Sequence, residues 1–128
     1  DAETAIVVLS STAGIVRGVV DALRAEGRKV GLLRPRVFRP FPAREIVEYL
    51  QNLRAVAVMD RALSPGAPAG PMFADVRAAL YEHETRPRVL GRAYGLGGRA
   101  ITEREIRALY DELDDEAALT FQLVGVRE

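Results

Sequence analysis

Cysteine and tryptophan are absent from this sequence of 128 residues, and histidine occurs once, at His83. Without cysteine the chain forms no disulfide and offers no thiolate ligand to zinc or to an iron–sulfur cluster. With a single histidine, a Ser-His-Asp hydrolase or a multi-histidine metal site would depend on one residue. The composition therefore leaves little room for the common cysteine- and histidine-based chemistries, and we expect no metal site and no catalytic residue.

Net charge is also lacking, because 18 Lys and Arg residues balance 18 Asp and Glu residues. A neutral chain favours neither nucleic acid nor an anionic membrane as a partner. The apolar run Ala5–Leu9 is too short, and lacks the basic flank, for a signal peptide. No run approaches the length that spans a bilayer. We therefore expect a cytoplasmic domain that binds neither nucleic acid nor membrane.

Short apolar runs alternate with helical patterns along the whole chain. The runs are rich in β-branched residues and apolar at successive positions, which is typical of strands covered on both faces. The predicted strands are Thr4–Leu9, Val30–Leu33, Ala55–Met59 and Arg88–Tyr94. Helices are predicted over Ala13–Glu26 with Gly27 as its stop, over Ala43–Leu53, from Pro71 onward, and after the capping box Thr102–Glu105.

This alternation predicts one domain over residues 1–128 with a three-layer α/β/α architecture. Its sheet is doubly wound and mainly parallel, and we expect the strand order 2-1-3-4. With that order the loops Ser10–Gly14 and Asp60–Gly70 face each other across a crevice at the carboxyl edge of the sheet. The acidic stretch Asp111–Glu116 separates this body from Thr120–Val126, and residues 117–128 are predicted to form an extended tail.

Two segments have residues of the kind that bind phosphate or another anion. Gly95–Ala100 has the spacing G-x-G-x-x-A, but a dinucleotide site needs that turn after the first strand. Here it follows the fourth strand, with no parallel strand expected after it, so we interpret the glycines as a tight turn beside a helix. Ser10–Thr12 could bind an anion at the start of a helix, and we favour an N-cap role.

Asp60 ends the third strand, where a receiver domain carries its phospho-acceptor. A receiver also needs an acidic pair after the first strand, where this chain has Ser10 and Ser11. We therefore expect Asp60 to pair with an arginine or to cap its loop. His83 is interpreted as a partner for the negative end of a helix dipole.

A basic and aromatic segment stiffened by prolines follows the second strand, and its residue types are those that dominate protein interfaces. Other segments that follow strands of a parallel sheet should lie at the same edge. The predicted interface comprises Arg34, Arg36, Phe38, Arg39, Pro40, Phe41, Asp60, Arg61, Gly95, Gly97 and Gly98.

Read together, the loops and their flanking strands carry a family resemblance. The segments that carry it are Leu23–Arg34, Phe38–Pro42, Ala57–Arg61, Gly70–Tyr81 and Gly95–Arg99, with Ser64 and Gly66 between them. In order and spacing they resemble a transketolase-C-terminal-like domain of the pyruvate:ferredoxin oxidoreductases, which forms their second domain or the C-terminal part of their α chain. Gly70–Tyr81 leans towards the pyruvate branch. Ser10, where a glycine is usual, and Pro35 depart from the family pattern.

The resemblance implies a part of a large thiamine-diphosphate enzyme that oxidatively decarboxylates a 2-oxoacid to acyl-CoA and reduces ferredoxin. Thiamine diphosphate, magnesium and iron–sulfur clusters would belong to other parts of that enzyme, and this domain would hold no cofactor. Its implied role is architectural, with the thiamine-binding domains as partners and coenzyme A and ferredoxin as partners of the whole enzyme. The wider fold also has an antiparallel edge strand before the first strand. The alternative is a free-standing module that binds a small ligand or anion in the crevice.

Overall fold

The computed structural model describes residues 2–9, 12–35, 43–61, 71–81, 83–95 and 101–124. Strands and helices alternate along them, as the apolar periodicity predicts. The elements are β1 (Thr4–Val8), α1 (Thr12–Ala25), β2 (Val30–Leu33), α2 (Ala43–Leu50), β3 (Ala55–Arg61), α3 (Pro71–Leu80), β4 (Arg88–Tyr94), α4 (Glu103–Leu113) and β5 (Phe121–Leu123). No helix in the described ranges is long and apolar enough to cross a membrane.

The strands form a single sheet in the order β2-β1-β3-β4-β5, and every neighbouring pair is parallel. The predicted order 2-1-3-4 is therefore confirmed. The chain steps from β1 to β2 on one side and then crosses to β3 on the other, so the order reverses beside β1. Thr4 lies level with both Val30 and Ala55, which aligns the three strands at their amino ends.

Helices cover both faces of this sheet, so the predicted three-layer architecture is also confirmed. Ile6 and Val8 of β1 belong to the core under α1 and α4, whereas Ala5 and Val7 belong to the core under α2 and α3. Successive side chains of a strand point to opposite faces, so a strand buried on both faces is apolar at every position.

Local signals set the helix ends. Gly27 has a φ of +90°, and the next residue, Arg28, donates its backbone N–H to the Leu23 carbonyl, as in a Schellman end. Thr102 and Glu105 form the predicted capping box at the start of α4. β3 is longer than predicted and ends at Arg61, which pairs with Tyr94 of β4.

β5 corrects the expectation that no parallel strand follows β4, and it places Phe121–Leu123 of the C-terminal segment in the sheet. The Gly91 amide donates to the Thr120 carbonyl at 2.6 Å, and the Val124 amide donates to the Ala93 carbonyl at 2.7 Å. A Cβ at Gly91 would lie 2.8 Å from a ring atom of Phe121 and from ring atoms of Phe73. Glycine therefore leaves the space into which the Phe121 ring packs. Every pairing among the described strands is parallel, so the expected antiparallel edge strand is not among them.

The acidic stretch that was expected to separate the tail is instead bound by arginines from the body of the domain. Arg28 pairs with Asp111 and Asp114, and Arg54 also pairs with Asp114. Arg88 donates to backbone carbonyls at the C-terminal end of α4 and beyond it, the shortest being 2.9 Å to Asp115. Cations at this end of a helix are favoured because its carbonyls are unpaired and its dipole is negative.

Arg92 of β4 is the most deeply buried of these arginines, with 1% of its surface exposed. It donates to the carbonyls of Gly91 and Leu119 at 2.7 and 2.9 Å, and it pairs with Glu112 of α4 at 2.9 Å. Its Nε has no hydrogen-bond partner. A buried charge is tolerated when it is paired and hydrogen-bonded, so Arg92 joins β4, α4 and the segment before β5 into one unit.

β2 is an edge strand whose carbonyls are occupied by side chains. Arg24 Nε donates to the carbonyl of Val30 at 2.8 Å, Tyr110 Oη to that of Gly31 at 2.6 Å, and Tyr49 Oη to that of Leu32 at 3.3 Å. Burial raises the pKa of the Tyr110 hydroxyl, which keeps it protonated as a donor. Three helices thus supply donors to one strand.

Candidate functional site

The structure describes only part of the interface that the sequence predicts. Arg34, Asp60, Arg61 and Gly95 are described. The remaining predicted interface residues lie outside the described residues, namely Arg36, Phe38, Arg39, Pro40, Phe41, Gly97 and Gly98. The same holds for Ser10 and Ser11 of the predicted N-cap.

The described interface residues lie along the carboxyl edge of the sheet, as predicted. Arg34 follows β2, Arg61 ends β3 and Gly95 follows β4. Because all strands are parallel, these positions lie at the same edge. A Cβ at Gly95 would lie 3.3 Å from Arg61 Cγ, so the exposed Arg61 side chain lies against the turn after β4. The φ of +82° at Gly95 is a second reason for glycine there.

Asp60 occupies this edge in a way that the sequence did not predict. Its carboxylate accepts hydrogen bonds from the backbone amides of Met72 and Phe73, both at 3.0 Å. These amides belong to the first turn of α3, where backbone donors have no helical partner. Among the described residues Asp60 has no arginine partner, and its carboxylate caps the first turn of α3. The residue is only 8% exposed, and it fastens the start of α3 to the end of β3.

The pKa of Asp60 is raised because burial penalises the charged carboxylate, and the nearby Asp75 adds to this effect. The amide hydrogen bonds from Phe73 and Met72 oppose it. A carboxylate committed to two backbone amides and shielded from water is not free for a metal or a phosphoryl group. The geometry therefore gives Asp60 a structural role at this edge.

A buried hydrogen bond ties the first residue of α1 to the sheet. Tyr94 Oη, at the end of β4, donates to Thr12 Oγ1 at 3.0 Å. Thr12 was predicted only as part of a cap or anion site. No local pattern in the sequence predicts this contact between a threonine at the start of a helix and a tyrosine at the end of a strand, because the contact depends on the strand order.

The described residues also line an open cavity of about 770 Å³ beside β1 and β2. Its walls are the first turns of α1 and the segment after β2, and they include Gly14, Arg17, Arg34 and Pro35. Both arginines are exposed. Arg17 was missed at the sequence level, although it lies one turn along α1 from the loop Ser10–Gly14 and faces away from the core.

His83 lies just beyond the C-terminal end of α3, as predicted, and its backbone amide donates to the Leu80 carbonyl at 3.1 Å. Its effect on the helix dipole stays a prediction. The described residues contain no group of three or more His, Cys, Asp or Glu side chains placed to hold a metal ion.

Comparison with known proteins identifies the family of this chain. Residues 2–106 match the model of the pyruvate:ferredoxin oxidoreductase core domain II. The chain belongs to this family. The core domain II assignment agrees with the resemblance carried by the loops, and it covers β1 to the first turn of α4.

Three relatives show where a core domain II of this kind occurs. Pyruvate synthase subunit PorA of Thermotoga maritima is 46% identical over 112 residues, which is 88% of this chain and 28% of that protein. Ketoisovalerate oxidoreductase subunit VorA of Pyrococcus furiosus is 39% identical over 113 residues, again 88% and 28%. A pyruvate-flavodoxin oxidoreductase of Klebsiella pneumoniae is 40% identical over 127 residues, 98% of this chain and 11% of that protein. The chain thus corresponds to a minor part of each relative.

Proposed function

We propose that this core domain II is a non-catalytic assembly domain of a thiamine-diphosphate-dependent pyruvate (2-oxoacid):ferredoxin oxidoreductase. The observation that carries the proposal is the family match over residues 2–106. The whole enzyme would oxidatively decarboxylate the 2-oxoacid to acyl-CoA and reduce ferredoxin. Relatives named for pyruvate and for ketoisovalerate support a 2-oxoacid substrate.

The described residues do not fit the metal cofactors that such an enzyme requires. Iron–sulfur clusters are held by thiolates, and the chain has no cysteine. Magnesium prefers carboxylate oxygens and phosphates, but the buried Asp60 carboxylate is occupied by the Met72 and Phe73 amides. Thiamine diphosphate, magnesium and the clusters are therefore assigned to other parts of the proposed enzyme, as are the sites for coenzyme A and ferredoxin.

The carboxyl edge supports the assembly role. Arg34 and Arg61 are exposed there, while the Asp60 contacts with α3 and the Tyr94–Thr12 hydrogen bond fix the ends of β3 and β4. These contacts hold the described part of the edge in place before docking, which lowers the entropy cost there. We propose that this edge packs against the thiamine-binding domains of the same enzyme, in the cytoplasm.

A second candidate function is the binding of a small anion, and the cavity beside β1 and β2 favours it. Arg17 and Arg34 both line that cavity, and the N-terminal end of α1 lies beside it. Guanidinium groups and a helix N-terminus both attract anions. This candidate needs no partner domain.

One purification separates the two candidates. The native protein that contains this chain is isolated under mild conditions and assayed for thiamine, iron and pyruvate-dependent dye reduction in the presence of coenzyme A. We expect all three in one assembly. If the chain is instead recovered alone, without thiamine or iron, and binds inorganic phosphate in a manner that Arg17→Gln and Arg34→Gln abolish, the anion-binding candidate replaces the assembly role.

A further inference from the structure

A groove at the amino-terminal edge of the sheet, opposite the proposed docking edge, is not used by the role given above. It has a volume of about 370 Å³ and lies between the C-terminal end of α3 and the start of β4. Its apolar lining includes Leu80, Pro87 and Val89. Arginines and a tyrosine complete its walls, and Thr120 lies at its border just before β5.

Two arginines of this groove differ from the arginines that form ion pairs between elements of the domain. Arg28, Arg54, Arg92 and Arg107 each pair with a carboxylate. Within the described ranges, Arg77 and Arg86 have no carboxylate partner.

Both guanidinium groups are held over aromatic rings instead. That of Arg77 lies 5.3 Å from the centroid of the Phe73 ring, and that of Arg86 lies 5.7 Å from the centroid of the Tyr81 ring. Arg86 also donates to the Tyr81 carbonyl. These contacts orient the two cations without neutralising them, and they leave their remaining N–H groups available.

Tyr81 is the most exposed of the large hydrophobic side chains described, at 74%, and Leu119, next to Thr120, is 61% exposed. A tyrosine flanked by arginines, over an apolar floor, has the composition of a protein interface centre. The stacking of Arg86 on Tyr81 restricts both side chains before binding, which lowers the entropy cost of docking.

We propose that this groove binds an acidic segment of polypeptide from the remaining part of the oxidoreductase. Carboxylates of that segment would pair with Arg77 and Arg86, while an apolar side chain packs on Tyr81. Charge complementarity identifies the partner, because the groove presents two cations that the described part of the domain does not neutralise. A nucleic acid fits less well, since the chain is neutral overall and nucleic acid binding draws on a longer row of phosphate contacts than two arginines of one groove can make. The proposal rests on the assembly role, which supplies the partner.

Photo-crosslinking in the native assembly tests the groove. The amino acid p-benzoylphenylalanine replaces Tyr81 and, as a control, replaces Tyr49, an exposed tyrosine of α2 that lies away from the groove. We expect the position-81 probe to link to a peptide rich in Asp and Glu from outside this domain, and the position-49 probe not to link to that peptide. Adding Arg77→Gln and Arg86→Gln together should lower the yield of the link about fivefold or more.

The outcomes distinguish this proposal from the assembly role. Suppose that the assembly contains thiamine and iron. The groove proposal alone is then overturned if the position-81 probe gives no link, a link to a peptide without acidic residues or a link to nucleic acid. An acidic link that survives the double arginine change undiminished also overturns it. If the purified protein lacks thiamine and iron, the assembly role fails first, and the stated partner fails with it.

Discussion

At the scale of single residues, Asp60 combines a stabilising contact with an energetic cost. Its two hydrogen bonds satisfy amides of α3 that would otherwise be unpaired, and its burial penalises the charged carboxylate. Replacing Asp60 removes both effects, and at neutral pH they change the free energy of unfolding in opposite directions. The pH dependence of stability separates them.

We predict that Asp60→Ala lowers the free energy of unfolding by about 2 kcal/mol at neutral pH, because two buried amides lose their acceptor. The folded pKa of Asp60 lies above the ordinary 3.8. As the pH falls, the folded state therefore takes up its proton before the unfolded state does, and Asp60 contributes more stability. The deficit of the variant should accordingly grow from about pH 7 to about pH 4.

Urea unfolding at several pH values measures this difference. Asp21→Ala, which changes an exposed carboxylate of α1, serves as the control and should change stability by less than about 0.5 kcal/mol. A deficit for Asp60→Ala that stays constant or shrinks on acidification would contradict the raised pKa.

At the scale of elements, periodicity and end signals predicted the four longer strands and all four helices. β1 to β4 are apolar on both faces, and Gly27, Pro71 and the Thr102 capping box mark helix ends within a few residues of their signals. β5 could not be predicted as part of the sheet. β5 packs beside β4 because Gly91 has no Cβ to clash with Phe121 and because Arg92 donates to the Leu119 carbonyl. Both contacts join residues that are far apart in the sequence.

The same limit applies to the candidate site. The carboxyl edge followed from the strand order, because parallel strands end at the same side. The partners of Asp60 could not be predicted from the strand order, because its carboxylate binds the Met72 and Phe73 amides, which lie beyond the next loop in the sequence. Arg77 of α3 and Arg86, just before β4, likewise line one groove, and no local pattern in the sequence joins them.

We predict that Arg92→Ala lowers the free energy of unfolding by about 3 kcal/mol, because it leaves a cavity and unpaired carbonyls between β4, α4 and the segment before β5. Hydrogen exchange at the Gly91 and Val124 amides, which bond across the β4–β5 boundary, should accelerate more than exchange in β1. Arg107→Ala on the surface of α4, which breaks an exposed pair with Glu26, is the control and should cost less than about 1 kcal/mol. Equal losses in the two variants would show that Arg92 does not join these elements.

At the scale of the whole molecule, the two ends of the sheet have different tasks in our proposals. The carboxyl edge docks on the thiamine-binding domains, and the amino edge receives an acidic segment beside Tyr81. Arg39 and Phe41 of the predicted interface lie outside the described residues, and we expect them to be anchors of the first of these surfaces.

We predict that Arg39→Ala and Phe41→Ala each weaken assembly of the holoenzyme by about 2 kcal/mol or more, because truncated arginine and aromatic anchors lose most of an interface contact. Glu48→Ala, at an exposed position of α2, should have little effect. Assembly is measured by the yield of partner subunits that co-purify with each variant at matched concentrations. Wild-type assembly by all three variants, with normal folding of the domain, would show that Arg39 and Phe41 are not anchors.

The donors that Arg24, Tyr49 and Tyr110 supply to β2 also bear on aggregation. An open sheet edge presents free carbonyl and amide groups on which a strand from a second molecule can pair. Here the Val30 and Leu32 carbonyls of the β2 edge strand, which alternate with the carbonyls facing β1, already accept bonds from side chains, and the opposite border is β5, a strand of only 3 residues. Each border is therefore a poor template for intermolecular strand addition, which protects a sheet of apolar, β-branched strands at high protein concentration.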